Sequence, residues 1–468
     1  MLSKLLSRKF TILFLIVSVL YTFFLSPDEL SKFDNVFNFK LILIVLVNVF
    51  LHFLTEKKTY KNWLRYDVLF ILGFLIVHFQ IPFLASLGVE PERPNSIWVN
   101  KFVVNYATWF SVLVILIWLL GYRLFLPKKI NKNKNYRIKF PAIDFLMKSS
   151  FLLFIFLVGS EFLGGSYTGT RNWQFGSTYI YLVLKISLYL SIIYFFINNS
   201  HKLLNFRELT KAMYRKKFLF IISIIYTIIF LGAGDRGPVM QIGLVFLGCY
   251  TLFYKKISLP KILLLIFLGA SLFTIIRFGR TSDASQRQGN IITEGYTNFT
   301  RSDNSFNPTN ELASSVKILY QALNLVPESH PYLYGTTIGS NIVDVIPFGG
   351  SFLLEAVSVP VMYTNSTKFF TIIEKGVNYK FGEGSEIIAD LYINFGFWVT
   401  LIIFLFFGRF ISYITFQSHF NKNHRIYIIY LLLLISALYV NRANFLQPLK
   451  IIVWALVFDR LLTKKIKL

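Results

Sequence analysis

The chain has 468 residues, of which 55% are hydrophobic and 18% are aromatic, and its mean hydropathy is +0.57. This composition excludes an ordinary soluble domain and is typical of a polytopic membrane protein. The net charge of +25 would favour nucleic-acid binding in a soluble protein. Cytoplasmic loops of membrane proteins accumulate Lys and Arg, however, so no nucleic-acid partner is expected. The single cysteine, Cys249, lies within an apolar run, which excludes a disulfide framework and a thiol metal site.

Twelve apolar runs are long enough to cross a bilayer as helices. The first begins at Phe10, lacks a small-residue cleavage site and is followed by Asp28 and Glu29, so we interpret it as a span rather than a signal peptide. The predicted fold is therefore all-α and polytopic, with about 12 transmembrane helices. The predicted spans are residues 10–27, 37–54, 65–86, 101–125, 144–163, 177–197, 217–234, 237–254, 261–278, 386–413, 425–441 and 444–462.

Charged residues predict the orientation of these spans. The connections between spans alternate between the two sides of the membrane. Those on one side, together with the two termini, carry 30 Lys and Arg residues, whereas the short connections on the other side carry 6. Because positive charge accumulates on the cytoplasmic side, this asymmetry places both termini in the cytoplasm, in agreement with an even number of spans.

One long interval without a spanning run separates spans nine and ten. The chain is therefore divided into residues 1–278 with transmembrane helices 1–9, residues 279–385 as a large extracytoplasmic loop, and residues 386–468 with helices 10–12. The loop is predicted to be partly helical, because Asn310 can cap a helix whose first residue is Glu311. An apolar interval at 346–363, broken by Pro and Gly, either lies on the membrane or re-enters it.

Arginines on the outer side are unexpected under the same charge rule, so each requires a reason. One explanation is that they extend to lipid headgroups or pair with a local acid. The alternative, favoured for the set, is a binding site for an anionic headgroup, because guanidinium groups contact phosphate oxygens in a bidentate manner and keep their charge. The predicted diphosphate-binding residues are Arg171, Arg236, Arg277, Arg280 and Arg287.

Acidic residues at the end of the long loop are candidates for a general base. Glu386 and Asp390 are four residues apart at the start of span ten and so share a helix face. Glu383 precedes them, and His330 is a further candidate within the loop. The alternatives are a favourable helix N-terminal charge for the acids and no chemical role for a single loop histidine. We rank Glu386 above Asp390 because it lies closer to the aqueous face, and above His330 because the preceding Gly-Glu-Gly hinge can carry the helix start over the substrate.

Several familiar motifs are missing from the sequence. It has no Walker A motif, no cluster of His, Asp or Cys with metal-binding spacing, and no Asp-x-Asp pair that would hold a metal–nucleotide sugar. These absences fit a reaction without metal or cofactor on a substrate already attached to lipid.

Lys185 is a further charged residue, inside predicted span six. Three explanations are open: its side chain faces a polar cavity, pairs with an acid such as Glu161, or extends to the membrane interface.

The chain resembles the bacterial Wzy-type oligosaccharide repeat-unit polymerases, which make O-antigen and capsular polysaccharide. The resemblance covers nearly the whole length as an architecture of many spans with one dominant outer loop late in the chain. It is clearest at Gly234-Asp235-Arg236-Gly237, at 310–315 (NELASS), at 326–332 (VPESHPY) and from Gly382-Glu383-Gly384-Ser385 through 390–396 (DLYINFG).

The resemblance implies a membrane glycosyltransferase at the outer face of the bacterial cytoplasmic (inner) membrane. The growing chain on undecaprenyl diphosphate would be transferred to the terminal sugar of another lipid-linked repeat, with the outer arginines holding the diphosphate and an acid or His330 taking the hydroxyl proton. The implied partners are the undecaprenyl-diphosphate-linked oligosaccharide, membrane lipids, a chain-length regulator and a flippase.

Three other functions remain open. A ligase that moves finished glycan to another acceptor would use the same chemistry. A flippase or transporter of lipid-linked sugars would suit twelve spans, although transporters usually show two related halves and sites at the membrane midplane. A structural scaffold is the third alternative.

Overall fold

A computed structural model of the chain describes residues 8–124, 136–164, 173, 176–200, 206–279, 291–301, 307–379, 382–421 and 423–467. The described part is almost entirely helical. Its first half contains α1 (Arg8–Phe24), α2 (Asn35–Thr59), α3 (Tyr66–Ser86), α4 (Pro94–Ile97), α5 (Val104–Leu124, preceded by a 3₁₀ turn at Lys101–Val103), α6 (Pro141–Gly164), α7 (Ser177–Asn199), α8 (Phe206–Arg215), α9 (Lys217–Gly232) and α10 (Arg236–Phe253).

The second half continues with further helices and short 3₁₀ turns. They are α11 (Leu259–Gly279), α12 (Ile291–Arg301), α13 (Asn310–Ala313, followed by a 3₁₀ turn at Ser314–Val316), α14 (Lys317–Leu325), α15 (Thr336–Val343), α16 (Gly349–Ala356, followed by a 3₁₀ turn at Val361–Tyr363), α17 (Ser366–Lys375), α18 (Ile387–Phe420), α19 (His424–Leu434, followed by a 3₁₀ turn at Val440–Arg442) and α20 (Leu449–Leu462). The described strands are β1 (Tyr136–Lys139) and β2 (Lys464–Lys467).

Each predicted span overlaps a helix, although the helices within 425–441 and 444–462 end at Leu434 and begin at Leu449, and the protein is an all-α membrane protein. Within the described residues, seven helices are long and apolar enough to cross a membrane, and two shorter apolar helices are α9 and α19. The seven are Asn35–Thr59, Tyr66–Ser86, Lys101–Leu124, Pro141–Val158, Ser177–Asn199, Leu259–Gly279 and Ile387–Phe420. A total of twelve spans stays a prediction.

Helices α5 and α18 form the most closely packed pair in the bundle, and glycines allow their approach. A Cβ atom added at Gly121 would collide with the carbonyl oxygen of Leu405, and one added at Gly408 would collide with that of Trp118. Small residues permit such backbone contact between membrane helices, where packing and not water exclusion drives association. This crossing fixes α18, whose N-terminal end carries the predicted acids.

The N-terminal end of α18, which is predicted to be its outer end, is bent away from the rest of that helix. Gly396 has a left-handed φ of 71°, a conformation that costs glycine nothing. A Cβ at this position would contact the ring of Tyr332, and the Leu333 amide donates to the carbonyl of Ile393 at 2.8 Å. The outer segment of α18 is therefore held by the chain that precedes α15.

The chain after α11 folds back over the outer end of the bundle. Helix α12 packs on α11 because Gly279 and Gly295 let the two backbones touch. The predicted helix at Glu311 begins one residue earlier, with Thr309 as its N-cap. Between α15 and α17, Phe352 and Val357 are more than two-thirds exposed at 71% and 75%, so the apolar interval 346–363 keeps an uncovered face.

At the opposite end, two features join distant parts of the sequence. β1 and β2 pair antiparallel, with Arg137 opposite Ile466, so the segment before α6 and the segment after α20 lie on the same side. Near this end, a buried ionic network joins α2, α3 and α5. Asp67 accepts from Arg65 at 2.7 Å and contacts His52 at 3.1 Å, and Arg123 of α5 donates to Glu56 of α2 at 2.7 Å.

Candidate active site

A cavity of about 1290 Å³ lies at the end of the bundle that is predicted to face outward. Its upper wall consists of the start of α10, the end of α11, the start of α13, the first turns of α17, the segment 382–385 and the turn before α20. These segments are far apart in sequence, and most were predicted to lie on the outer side. The predicted outer ends of several helices therefore surround one cavity.

Arg236 and Glu311 form a bidentate ion pair in the cavity wall. Asp235 caps α10 by accepting from the Gly237 amide at 3.3 Å, which places Arg236 in the first turn. Its guanidinium donates to the two carboxylate oxygens of Glu311 at 2.8 and 2.5 Å and to the carbonyl of Phe273 at 2.8 Å. The geometry matches the fork that guanidinium groups present to oxyanions.

A second arginine shares the same carboxylate. Arg442 lies at the end of the 3₁₀ turn after α19, and its Nη1 donates to Glu311 Oε1 at 3.1 Å and to the Glu311 carbonyl at 3.2 Å. The side chains of Arg236, Glu311 and Arg442 are 16%, 25% and 29% exposed. One carboxylate therefore holds two partly buried guanidinium groups that stay accessible to a ligand.

The remaining charges make the cavity positive. Arg277, Lys185 and Lys368 also line it, so that with Arg236 and Arg442 five basic side chains face three acidic ones, namely Asp235, Glu311 and Glu383. Arg277 contacts the ring of Phe278 at 6.0 Å from its centroid, and among the described residues no carboxylate pairs with it. This excess of positive charge favours an anionic ligand.

Glu383 is the one predicted base that lines the cavity. It forms ion pairs with Lys317 and Lys375. Burial opposes ionisation of this carboxyl, but the hydrogen bonds and charges of the two lysines outweigh burial, so the pKa of Glu383 lies below its usual value. A carboxylate with a lowered pKa is a weaker proton acceptor than a free one.

Glu386 is fully buried and forms the N-cap of α18. Its carboxylate accepts from the amides of Ile388 at 2.7 Å and Ala389 at 2.8 Å, so the predicted helix start is confirmed. Its Oε1 also lies 2.6 Å from Nε2 of His78, and both side chains have 0% exposure. Its neighbour Ser385 lines the cavity, whereas the Glu386 carboxylate is directed into the bundle.

His78 lies in a π-helical turn of α3, at Leu75–Phe79. The wider turn allows Nδ1 of His78 to contact the carbonyl of Phe74 at 3.1 Å, and its ring stacks on that of Phe74 with centroids 3.9 Å apart. Single π turns inside α-helices are frequent at functional positions. Here the turn directs an imidazole at the cap of α18.

Asp390 is also fully buried, one turn after Glu386. Its Oδ2 accepts from the Phe445 amide at 2.8 Å, which connects α18 to the segment carrying Arg442. The hydroxyls of Ser366 and Ser385 lie 2.8 Å apart beside this segment. Asp390 therefore holds the chain segment after Arg442 against α18 and does not itself line the cavity.

His330 lies away from the cavity among aromatic side chains. Its Nε2 contacts the Tyr363 hydroxyl at 3.1 Å, and its ring packs edge-on against Phe369 with centroids 5.1 Å apart.

Of the predicted diphosphate-binding arginines, Arg236 and Arg277 both line the cavity. Arg171, Arg280 and Arg287 lie outside the described residues.

A family model described as O-antigen polysaccharide polymerase Wzy matches residues 7–462. The chain belongs to this family. The resemblance predicted from the sequence is thereby confirmed over nearly the whole chain. No curated protein and no solved structure matches the chain.

Membership of the Wzy family fixes the broad activity. Wzy proteins are polysaccharide polymerases that act on lipid-linked oligosaccharide repeat units in membranes, and the apolar helices agree with a multi-pass membrane protein. Among the described residues, no group of three or more His, Cys, Asp or Glu side chains could hold a metal ion. Metal independence of this Wzy chain stays a prediction.

Three residues of this Wzy site were not selected from the sequence. Arg442 carries the same signal as the selected arginines, because it is an outer arginine between two spans. Glu311 was named as the start of a helix and within the 310–315 motif, but not as a site residue. His78 lies within an apolar run, where an ionisable side chain is expensive and usually functional, and that signal was available.

Proposed function

We propose that this chain extends polysaccharide by transferring a growing glycan from undecaprenyl diphosphate to the terminal sugar of a second lipid-linked repeat. The observation that carries this proposal is the meeting of Arg236, Arg277 and Arg442 in one large cavity of net positive charge. Family membership supports the reaction class, and the three guanidinium groups support a diphosphate leaving group.

In this mechanism, a hydroxyl oxygen of the acceptor sugar attacks the anomeric carbon of the donor, with inversion. The bond between that carbon and the diphosphate oxygen breaks, and the diphosphate leaves with the bonding electrons. Arg236 and Arg442 stabilise the negative charge that develops on the leaving oxygen, because preorganised donors in a partly water-excluded site lower the barrier most where charge appears.

The attacking hydroxyl must lose a proton, and Glu311 is the carboxylate we assign to this step. In the free protein it accepts hydrogen bonds from both arginines. An incoming diphosphate competes for the same guanidinium groups, and a carboxylate that loses these donors becomes a better proton acceptor. Glu383, Glu386, Asp390 and His330 are the alternatives, and their variants decide among them.

The proposed site faces the outside of the cytoplasmic membrane, with both termini inside. Two features support this orientation: the predicted outer residues Arg236, Glu311 and Arg442 are in contact, and the predicted inner segments β1 and β2 are paired. A cysteine at exposed Thr297 should react with a membrane-impermeant maleimide in intact cells, whereas one at exposed Tyr214 should react only after lysis. Labelling of the Tyr214 variant in intact cells would reverse the orientation.

The proposed function is tested by the lipid-linked glycan in cells that lack the protein. A polymerase predicts that single repeats accumulate and that the full chain returns when the gene is restored. Loss of all outer repeats would instead indicate a flippase, and full-length unattached chains would indicate a ligase. Purified protein in liposomes with lipid-linked repeats should also form polymer without other proteins.

A further inference from the structure

The cavity does not end at the arginines but continues as a groove between α10 and α11. The residues of α11 that line it recur every three or four positions and so occupy one face of the helix. They are Ile262, Leu265, Ile266, Gly269, Ala270 and Phe273. The face of α10 contributes Met240, Gly243, Leu244 and Leu247, and α3 contributes Leu69 and Ile76.

The groove is long and changes from charged to apolar along its length. Arg277 and Ile262 mark its two ends on α11, and at 1.5 Å per residue they are about 22 Å apart along the helix axis. That length exceeds half of the roughly 30 Å hydrocarbon core of a bilayer. The arginines therefore lie at one end of a deep apolar channel.

The packing of α11 leaves this groove open. Its buried residues are Ile262, Ile276 and Gly279, and its extensive contact is with α12 at the outer end. A Cβ atom added at Gly243 or at Gly269 would meet no atom within 4 Å. Space is thus present where two neighbouring helices would normally interdigitate.

We propose that this groove binds the isoprenoid chain of the lipid-linked substrate, with the diphosphate held at Arg236, Arg277 and Arg442. The inference rests on the proposed function for the identity of the head group. The match is chemical: the ligand needs one anionic end and one long apolar chain, and the groove offers arginines followed by a largely apolar wall. A free sugar or a nucleotide sugar has no apolar chain to fill it.

Direct labelling tests the location of the chain. Full-length protein in liposomes is irradiated with undecaprenyl diphosphate that carries a diazirine on its terminal isoprene units, and the labelled peptides are identified. Labels should fall on the groove faces, at residues such as Leu247 and Ile266. Equal or stronger labelling of Leu264 and Leu268, which are exposed on the outside of α11 at 56% and 54%, would overturn the groove.

Competition separates the isoprenoid chain from the acyl chain of an ordinary phospholipid. Unlabelled undecaprenyl phosphate should suppress the groove labels, whereas an equal amount of phosphatidylglycerol should not. Suppression by phosphatidylglycerol to the same degree would show that the groove accepts any anionic lipid, and the proposal would fail.

Filling the groove provides a second test with a matched control. Gly243→Phe and Gly269→Phe should lower labelling and polymer formation at least about tenfold, which corresponds to about 1.4 kcal/mol. A substrate with only two isoprene units should be affected much less. Gly232→Phe is the control, because Gly232 lies in α9 outside the groove and also has no atom within 4 Å of an added Cβ.

The groove and the proposed function fail in different ways. If wild-type protein takes up the label in the groove but forms no polymer, the polymerase mechanism is wrong and the groove stands. If polymer forms while the groove variants behave like Gly232→Phe, the groove is wrong and the polymerase mechanism stands.

Discussion

Arg442→Ala should lower the rate of chain extension by about 10²- to 10³-fold, the typical loss when one donor to a developing negative charge is removed. Arg442 contacts Glu311 at the centre of the cavity, and its loss leaves the leaving diphosphate with fewer donors. The measurement is polymer formed per unit time in liposomes, corrected for the amount of folded protein.

Two further variants show whether charge or shape matters at this position. Arg442→Lys keeps the charge but loses the guanidinium fork, so it should fail nearly as badly as Arg442→Ala. Arg93→Ala is the control, because Arg93 is an exposed arginine in another predicted outer connection and does not line the cavity. Normal polymer from Arg442→Ala would remove this residue from the mechanism.

Glu311→Gln separates the two functions that one carboxylate could have. If Glu311 takes the hydroxyl proton, kcat should fall by about 10²- to 10⁴-fold while KM changes little. If Glu311 only orients the arginines, the amide still accepts hydrogen bonds and the diphosphate loses a competitor, so KM should fall with kcat near normal. The second outcome would return the choice of base to Glu383, Glu386, Asp390 and His330.

Breaking the pair between His78 and Glu386 should be the most destabilising single change near the site. Both side chains have 0% exposure and their nearest atoms are 2.6 Å apart. Removing one partner of a buried hydrogen-bonded pair costs about 1–3 kcal/mol, and more where the remaining group is a carboxylate, because that group is left without its partner. Glu386→Ala and His78→Ala should each lose about this much free energy of unfolding, measured by denaturant titration in detergent micelles.

A double-mutant cycle shows that the loss comes from the pair. The double variant should be clearly more stable than the sum of the two single losses predicts, because residues in direct contact are not additive. Asn441→Ala is a suitable comparison, since Asn441 is also fully buried and donates to the carbonyl of Phe70 at 3.1 Å without contacting either partner. Full stability of Glu386→Ala together with lost chain extension would contradict a supporting role and favour Glu386 as the base.

The sequence contained enough information for the membrane fold and for two of the arginines that meet in the cavity. Apolar runs located the helices because a bilayer admits few alternatives. The outer arginines Arg236 and Arg277 could be selected because they oppose the charge bias of membrane proteins. The apolar run also located the start of α18, where Glu386 is the N-cap.

The contacts that define the site could not be predicted in the same way. His78 and Glu386 are separated by 308 positions, and Arg442 and Glu311 by 131. Spacing within one helix carries no information about which helices become neighbours. Glu386 was therefore ranked above Asp390 by its distance from the aqueous face, whereas tertiary packing directs Glu386 inward and leaves Glu311 in the cavity.

The bend at Gly396 has a consequence for exchanging parts between members of this family. The segment from Ile387 to Phe395 belongs to a membrane helix by sequence, but it is anchored by Leu333 and Tyr332 from the outer chain. When the predicted extracytoplasmic loop is exchanged between two family members, this segment should therefore be transferred together with it. Chimaeras that aim to transfer glycan specificity should be joined at Gly396, so that Glu386 and Asp390 stay with the segment that holds the start of α18 in place.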